Sequence, residues 1–159
     1  MIFLTIGTQL PFERLVRAVD DAAPRLQGEA FAQIGASAYT PVNIEWSAFL
    51  RPPEFEKHFR SASVIVSHAG IGTILSAQKH RKPLVIVPRL ARFGEHRNDH
   101  QVATAVQVRD KRGIYIVDDI DMLPEILGRS DLEPAGEDAE IAGRAAFVSN
   151  LRDRLGAWR

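Results

Sequence analysis

Val64-Ile65-Val66-Ser67-His68-Ala69-Gly70-Ile71-Gly72-Thr73 is the stretch that decides the fold. The β-branched apolar run at its start reads as a strand buried on both faces. The pattern from Gly72 to about His80 reads as a helix. A strand that turns through glycines into a helix aims backbone N–H groups outward at the helix N-terminus, a place that favours an anion such as a phosphate. A tight structural turn with no ligand fits the same residues. A dinucleotide fingerprint would need a small residue where Leu75 stands, and the P-loop lysine is missing.

The same grammar repeats on either side. Ile2-Phe3-Leu4-Thr5-Ile6 is an apolar strand that stops at Gly7, and a helical pattern runs from Pro11 to Pro24. Phe31 to Gly35 and, more weakly, Val42 to Trp46 read as further strands, and Pro52-Pro53 opens a short helix through Phe59. Leu84 to Val87 is a strand closed by Pro88. A loop from Arg89 to Asn98 leads into a helix over about Asp99 to Lys111. Ile114 to Val117 is the next strand, and Met122 to Leu127 a short helix. Alternating strands and helices predict an α/β domain: a parallel sheet with helices on both faces. Ligands in such sheets bind beyond the C-terminal ends of the strands, so the loops after Ile6, Gly35, Val66 and Val87 are the ones to examine.

Those loops hold the unusual residues. Gly94-Glu95-His96-Arg97-Asn98-Asp99-His100-Gln101 is a dense polar run entering a helix. Asp99 fits a helix cap. His96 and His100 lie four apart, but no third ligand is spaced to complete a metal site. Gly7-Thr8-Gln9 offers N–H groups and a hydroxyl to a phosphate or sugar, and equally reads as a turn before a helix. Arg89 and Arg92 flank the polar loop as candidates to neutralise phosphate. Asp119-Ile120-Asp121 has the form of a metal-binding Asp-x-Asp, yet capping of the following helix explains it better. The sequence calls for no metal.

Composition sets the outer bounds. The chain has 159 residues, with 20 Lys+Arg against 20 Asp+Glu and a formal net charge of 0. That length suits one domain, expected over 1–128, then a Gly/Pro/acid-rich linker over 129–138 and an amphipathic helix over 139–159. Phe147, Leu151, Leu155 and Trp158 form one stripe on that helix and are the expected partner-docking residues, with packing on the chain's own sheet as the alternative. Zero net charge argues against a nucleic-acid partner. The absence of cysteine excludes thiol catalysis and Cys-ligated zinc. No run approaches the ~20 apolar residues of a membrane span, and Met1 to Ile6 lacks the basic flank of a signal peptide. A cytoplasmic chain is expected.

Taken together, Gly7-Thr8, Gln33-Ile34-Gly35, Ser67 to Thr73, Lys82-Pro83-Leu84 and Gly94 to Gln101 resemble the C-terminal domain of family 28 glycosyltransferases over about residues 1–125. The small subunits of two-component bacterial exopolysaccharide and capsule glycosyltransferases are the nearest look-alikes, and the catalytic subunit of the eukaryotic dolichol-linked N-acetylglucosaminyltransferase pair is similar. The resemblance implies a Rossmann-like domain that is one half of a GT-B fold. Its ligand would be a UDP-sugar, used as substrate with no cofactor and no essential metal. The lipid-linked acceptor would sit on a separate membrane-anchored subunit, which would hold the chain at the inner face of the membrane.

Carried onto this chain, the resemblance places Gly7, Thr8, His68, Gly70, Ile71, Gly72 and Thr73 at the donor diphosphate. Asn98, Asp99, His100 and Gln101 would face the transferred sugar. Many relatives hold the ribose with a glutamate where this chain has Ser76, so ribose contacts would come from Ser76 or from Glu95. Transfer would be inverting, and no complete catalytic set is expected in this chain, because the general base would come from the partner. The alternatives are a non-catalytic nucleotide-binding regulatory subunit and, disfavoured by Leu75, a nicotinamide-dependent enzyme.

Overall fold

The computed structural model describes residues 1–136. Its centre is a six-stranded parallel sheet in the order β3-β2-β1-β4-β5-β6. The strands are β1 (Ile2–Thr5), β2 (Ala30–Gln33), β3 (Glu45–Ser47), β4 (Val64–Ser67), β5 (Leu84–Ile86) and β6 (Ile114–Ile116). The helices are α1 (Glu13–Ala22), α2 (Pro52–Ser61), α3 (Ile71–Lys79), α4 (His100–Val108) and α5 (Leu123–Leu127). Parallel pairing requires a crossover between successive strands; helices supply all of them but the one from β2 to β3, where residues 34–44 cross over without a helix.

Every strand of the sheet centre is buried on both faces, and the period of two sorts its side chains. Leu4, Val66 and Val85 face one way and pack with Leu15, Val16 and Val19 of α1 and Leu123 and Leu127 of α5. Phe3, Ile65 and Leu84 face the other way and pack with Phe59 of α2, Ile74 and Ala77 of α3, and Ala105 and Val108 of α4. Two cores on the two faces of one sheet fix its register, because a one-residue slip would exchange them. The expected α/β architecture with helices on both faces is what forms.

Differences from the sequence reading lie at element ends and have local causes. The helix expected from Pro11 opens at Glu13, because Ile6, Leu10 and Pro11 give their carbonyls to Arg89 rather than to a helix ladder. The strand expected over Val42 to Trp46 is β3, Glu45–Ser47. Buried Asp20 accounts for the shift: its carboxylate accepts from Tyr39 Oη at 2.6 Å, Val42 N at 3.0 Å and Asn43 N at 2.8 Å. Those N–H groups are thereby taken from any strand partner, and Val42 is left 82% exposed. Burial pushes the Asp20 carboxyl up, but the hydrogen bonds from Tyr39, Val42, Asn43 and Ile44 outweigh it and hold the group below its usual range.

Residues 129–136, placed in a linker by composition, have no regular structure, yet they are tied to the domain. Ala135 N donates to Lys82 O and Gly136 N to Arg112 O, and Ala135 is buried. The rest of that linker and the docking stripe of Phe147, Leu151, Leu155 and Trp158 lie outside the described residues.

Candidate functional site

The chain leaves β1 toward β2 and β3, then returns to the other side of β1 as β4. The loops after β1 and β4 therefore diverge, and a crevice opens between them at the C-terminal ends of the strands. A cleft of about 280 Å³ lies there. Ile6, Gly7, Thr8, Gln9 and Leu10 line it from the loop after β1. His68 enters after β4, Arg89 and His96 after β5, and Gln101 from the first turn of α4.

Arg89 is the floor of this cleft and is only 2% exposed. One guanidinium nitrogen, Nη2, donates to Ile6 O at 2.7 Å and Leu10 O at 2.9 Å. The other, Nη1, donates to Pro11 O at 2.6 Å and Glu95 O at 3.4 Å. The guanidinium also lies over the Phe12 ring, 4.7 Å from its centroid. Burial brings its pKa down to about 10, against the upward pull of Glu95, so it stays charged near neutrality. The sequence makes Arg89 a candidate to neutralise phosphate; in the structure its donors are spent on the first loop, so what it offers a ligand is its charge. Arg92 is exposed, lies over the Phe93 ring and lines a different hollow with Asp99 and Asp118.

His68 is the side chain that the loop after β4 sends into the cleft. Ser67 Oγ donates to Thr5 O at 2.8 Å, so its one proton is committed. The same oxygen lies 3.2 Å from His68 Nδ1 and must accept there. The proton of a neutral His68 is thus on Nδ1, and Nε2 carries a lone pair. The ring passes between two glycines. A Cβ on Gly70 would lie 2.5 Å from Nε2, and one on Gly7 3.1 Å from Cε1. Gly7 also has φ +76°, a left-handed turn that bends the loop after β1 over the ring. Burial, then the charges of Arg89 and His96, hold the imidazole down to about 4.

The polar run after β5 is mostly occupied with itself. Glu95, expected as a ribose ligand, forms a two-pronged ion pair with Arg14: Nε to Oε1 at 2.7 Å and Nη2 to Oε2 at 2.9 Å. Glu95 also accepts from Leu90 N. Asp99 stands at the first position before α4, yet its carboxylate accepts from Ala91 N rather than capping the helix. Asn98 Oδ1 accepts from His100 N at 3.0 Å. Gln101 Oε1 accepts from Arg89 N at 3.0 Å, which leaves its amide N–H groups for a ligand. His100 is exposed at the start of α4.

The start of α3 is bare by comparison. Ile71 and Gly72 are exposed, and a Cβ on Gly72 would meet nothing within 4 Å. The expected residues thus divide. Gly7, Thr8, His68, Arg89 and Gln101 share the cleft, with Gly70 directly behind the His68 ring. Ile71, Gly72, Thr73, Ser76, Asn98, Asp99 and His100 do not line it. Gln9, Leu10 and His96 were missed as lining residues, although position gave a signal: Gln9 follows Thr8 in the same loop, and His96 lies within the polar run. Among the described residues no group of three or more His, Asp or Glu can hold a metal ion. Asp119 Oδ1 accepts from Asp121 N, the capping arrangement expected of that pair.

A doubly wound sheet with its cleft at the strand-order switch defines a Rossmann-like ligand-binding domain. Residues 1–140 match the glycosyltransferase family 28 C-terminal domain, and the chain belongs to that family. Solved structures agree on the fold, which is one half of a GT-B enzyme. The crystal structure of Acinetobacter baumannii MurG aligns with TM-score 0.55 and 23% identity, over 79% of this chain and 38% of that one. The kitacinnamycin glycosyltransferase aligns with TM-score 0.58 and 21% identity, over 98% of this chain and 39% of that one. The calicheamicin glycosyltransferase CalG4 aligns with TM-score 0.57 and 16% identity, over 82% of this chain and 34% of that one. This chain therefore spans well under half the length of those glycosyltransferases. No protein of curated function matches it. Among the described residues no helix is long and apolar enough to cross a membrane.

Proposed function

We propose that this chain is the donor-binding half of an inverting hexosyltransferase. It moves a sugar from a UDP-sugar to a lipid-linked acceptor in the making of an exopolysaccharide or capsule. A separate membrane-anchored subunit holds the acceptor and supplies the general base, so the chain works in the cytoplasm at the inner face of the membrane. The supporting observation is the cleft at the strand-order switch, floored by the buried charge of Arg89; the exposed N-terminus of α3 follows the His68 loop just outside its lining. Family membership points the same way for glycosyl transfer.

The chemistry follows from that placement. An acceptor hydroxyl attacks the anomeric carbon, the bond to the terminal phosphate oxygen breaks, and its electron pair leaves with the diphosphate. Charge grows on the diphosphate in the transition state. Fixed donors and a buried cation already aimed there stabilise it without reorganising, which is why no metal is needed. The Arg89 charge and the N–H groups at the start of α3 have that role. The hydroxyl's proton goes to a base on the partner.

Calorimetric titration with UDP, without added metal, tests the reading. Gly72→Val adds bulk where no protein atom stands, so the fold survives and the ligand is excluded. Binding to the wild-type chain that is lost in Gly72→Val is the expected result. Failure of UDP to bind both the isolated chain and the co-purified pair would sink the proposal.

A further inference from the structure

The arrangement around His68 does more than hold a ring in place. We propose that the His68 imidazole stands neutral in the empty cleft, with the Nε2 lone pair open to it, and takes up a proton at Nε2 when a nucleoside diphosphate binds. The inference rests on the proposed donor role of the cleft and adds to it a proton coupled to the diphosphate.

The geometry fixes the starting state. Ser67 Oγ gives its proton to Thr5 O and must receive one from Nδ1, so the tautomer is set by the main chain of β1. Nε2 has no hydrogen-bond partner among the described residues and no buried polar side-chain atom is left unsatisfied, so this nitrogen is open to solvent in the cleft. Gly7 and Gly70 confine the ring edge between them.

The charges facing the ring explain why it stays neutral until a ligand comes. From the end of β5 comes the Arg89 guanidinium, and from the following loop His96. The nearest carboxylate of that loop, Glu95, is held by Arg14. The first turn of α3 brings no acidic side chain, and β1 presents the Thr5 main chain, whose hydrogen bond pulls the other way without outweighing the rest. The surroundings are therefore cationic and partly dry. A second positive charge is disfavoured there, consistent with the imidazole being held down to about 4. A diphosphate reverses the balance. Its terminal phosphate brings negative charge into the same space, and a protonated Nε2 then has an acceptor to donate to. Free diphosphate carries one more charge on that phosphate than a sugar diphosphate does, so the coupling is stronger for the product than for the donor. During transfer the imidazolium faces the oxygen that receives the electron pair of the breaking bond, and the proton it carries comes from solvent on binding.

Calorimetry of UDP binding in buffers of different ionisation enthalpy counts the protons taken up. His68→Gln has the same reach at the ring position with no titration, and UDP's own ionisation is common to both proteins. At about pH 6, wild type is expected to take up close to one proton more than the variant. The wild-type advantage in UDP affinity should then fall tenfold or more between about pH 5 and pH 8. Imidazole NMR signals of His68 should move from the neutral Nδ1–H form to imidazolium on adding UDP at about pH 6. Equal proton counts in the two proteins, or an imidazole that stays neutral with UDP bound, overturns this inference alone. Failure of UDP to bind wild type at any of these pH values overturns it together with the donor reading.

Discussion

After β5 several polar side chains are spent on bracing the protein itself. Arg89 ties down Ile6, Leu10 and Pro11, Glu95 clasps Arg14, Asp99 holds Ala91 N, and Gln101 holds Arg89 N. After β4 the reverse arrangement stands: one side chain, His68, enters the cleft, and the helix start beside it is exposed. The β5 side of the cleft is braced by polar side chains, whereas the helix start that follows His68, just outside the lining, is bare backbone. The braced side keeps its shape with no ligand present. The bare helix start leaves its donors for whatever binds. Substitutions on the braced side should therefore register in stability, and those at the helix start in binding.

Arg89→Met should give the largest effect. Removing the guanidinium leaves the buried carbonyl of Ile6 and the part-buried carbonyls of Leu10 and Pro11 without their donor. Breaking a buried charged network of this kind costs about 3–5 kcal/mol. Urea unfolding should show the midpoint falling by that free energy divided by the slope, with the slope unchanged. A loss under ~1 kcal/mol would mean that the first loop holds itself up, and the contrast between the two sides would go with it.

Glu95→Gln is a milder probe of the same side. The amide keeps an acceptor for Leu90 N but loses the charged two-pronged pair with Arg14, whose side chains are 21% and 9% exposed. A loss of about 1–2 kcal/mol is expected. UDP affinity should change less than threefold, because the carboxylate braces the loop rather than touching ribose. A large drop in UDP affinity with stability intact would restore Glu95 to the ribose role that sequence reasoning assigned it.

How much of this was readable beforehand depends on what each residue depends on. The strands announced themselves, because Ile2 to Leu4, Val64 to Val66 and Leu84 to Ile86 are buried on both faces and so read as unbroken apolar runs. The turn after β4 was readable from Gly70 and Gly72 beside a strand end. The division of labour within Gly94 to Gln101 was not, because Glu95 and Gln101 are claimed by residues outside the run while His96 and Asn98 bond within it. Glu95 meets Arg14, 81 positions away, and Arg89 meets Ile6, 83 positions away. Composition marks such a run as polar and says nothing of its partners. The two glycines read alike in the sequence, as room for a ligand; the structure separates them, because Gly70 makes room for the protein's own imidazole and Gly72 faces open space.

That distinction between Gly70 and Gly72 gives the smallest effects and the sharpest contrast. A Cβ at Gly72 meets nothing within 4 Å, and the residue lies in the first turn of α3. Alanine there removes backbone freedom from the unfolded chain and should stabilise by up to about 0.5–1 kcal/mol. A Cβ at Gly70 would lie 2.5 Å from His68 Nε2, so the same substitution must push the ring aside, at a cost of about 1 kcal/mol. In differential scanning calorimetry Gly72→Ala should therefore melt at or slightly above wild type and Gly70→Ala below it. In UDP titrations Gly70→Ala should lose its His68-dependent proton uptake, while Gly72→Ala should keep it and lose affinity only as far as one methyl crowds the phosphate. If Gly70→Ala kept both the melting temperature and the proton uptake of wild type, the ring would not be held between the two glycines, and the β4 side of the cleft would have no fixed side chain at all.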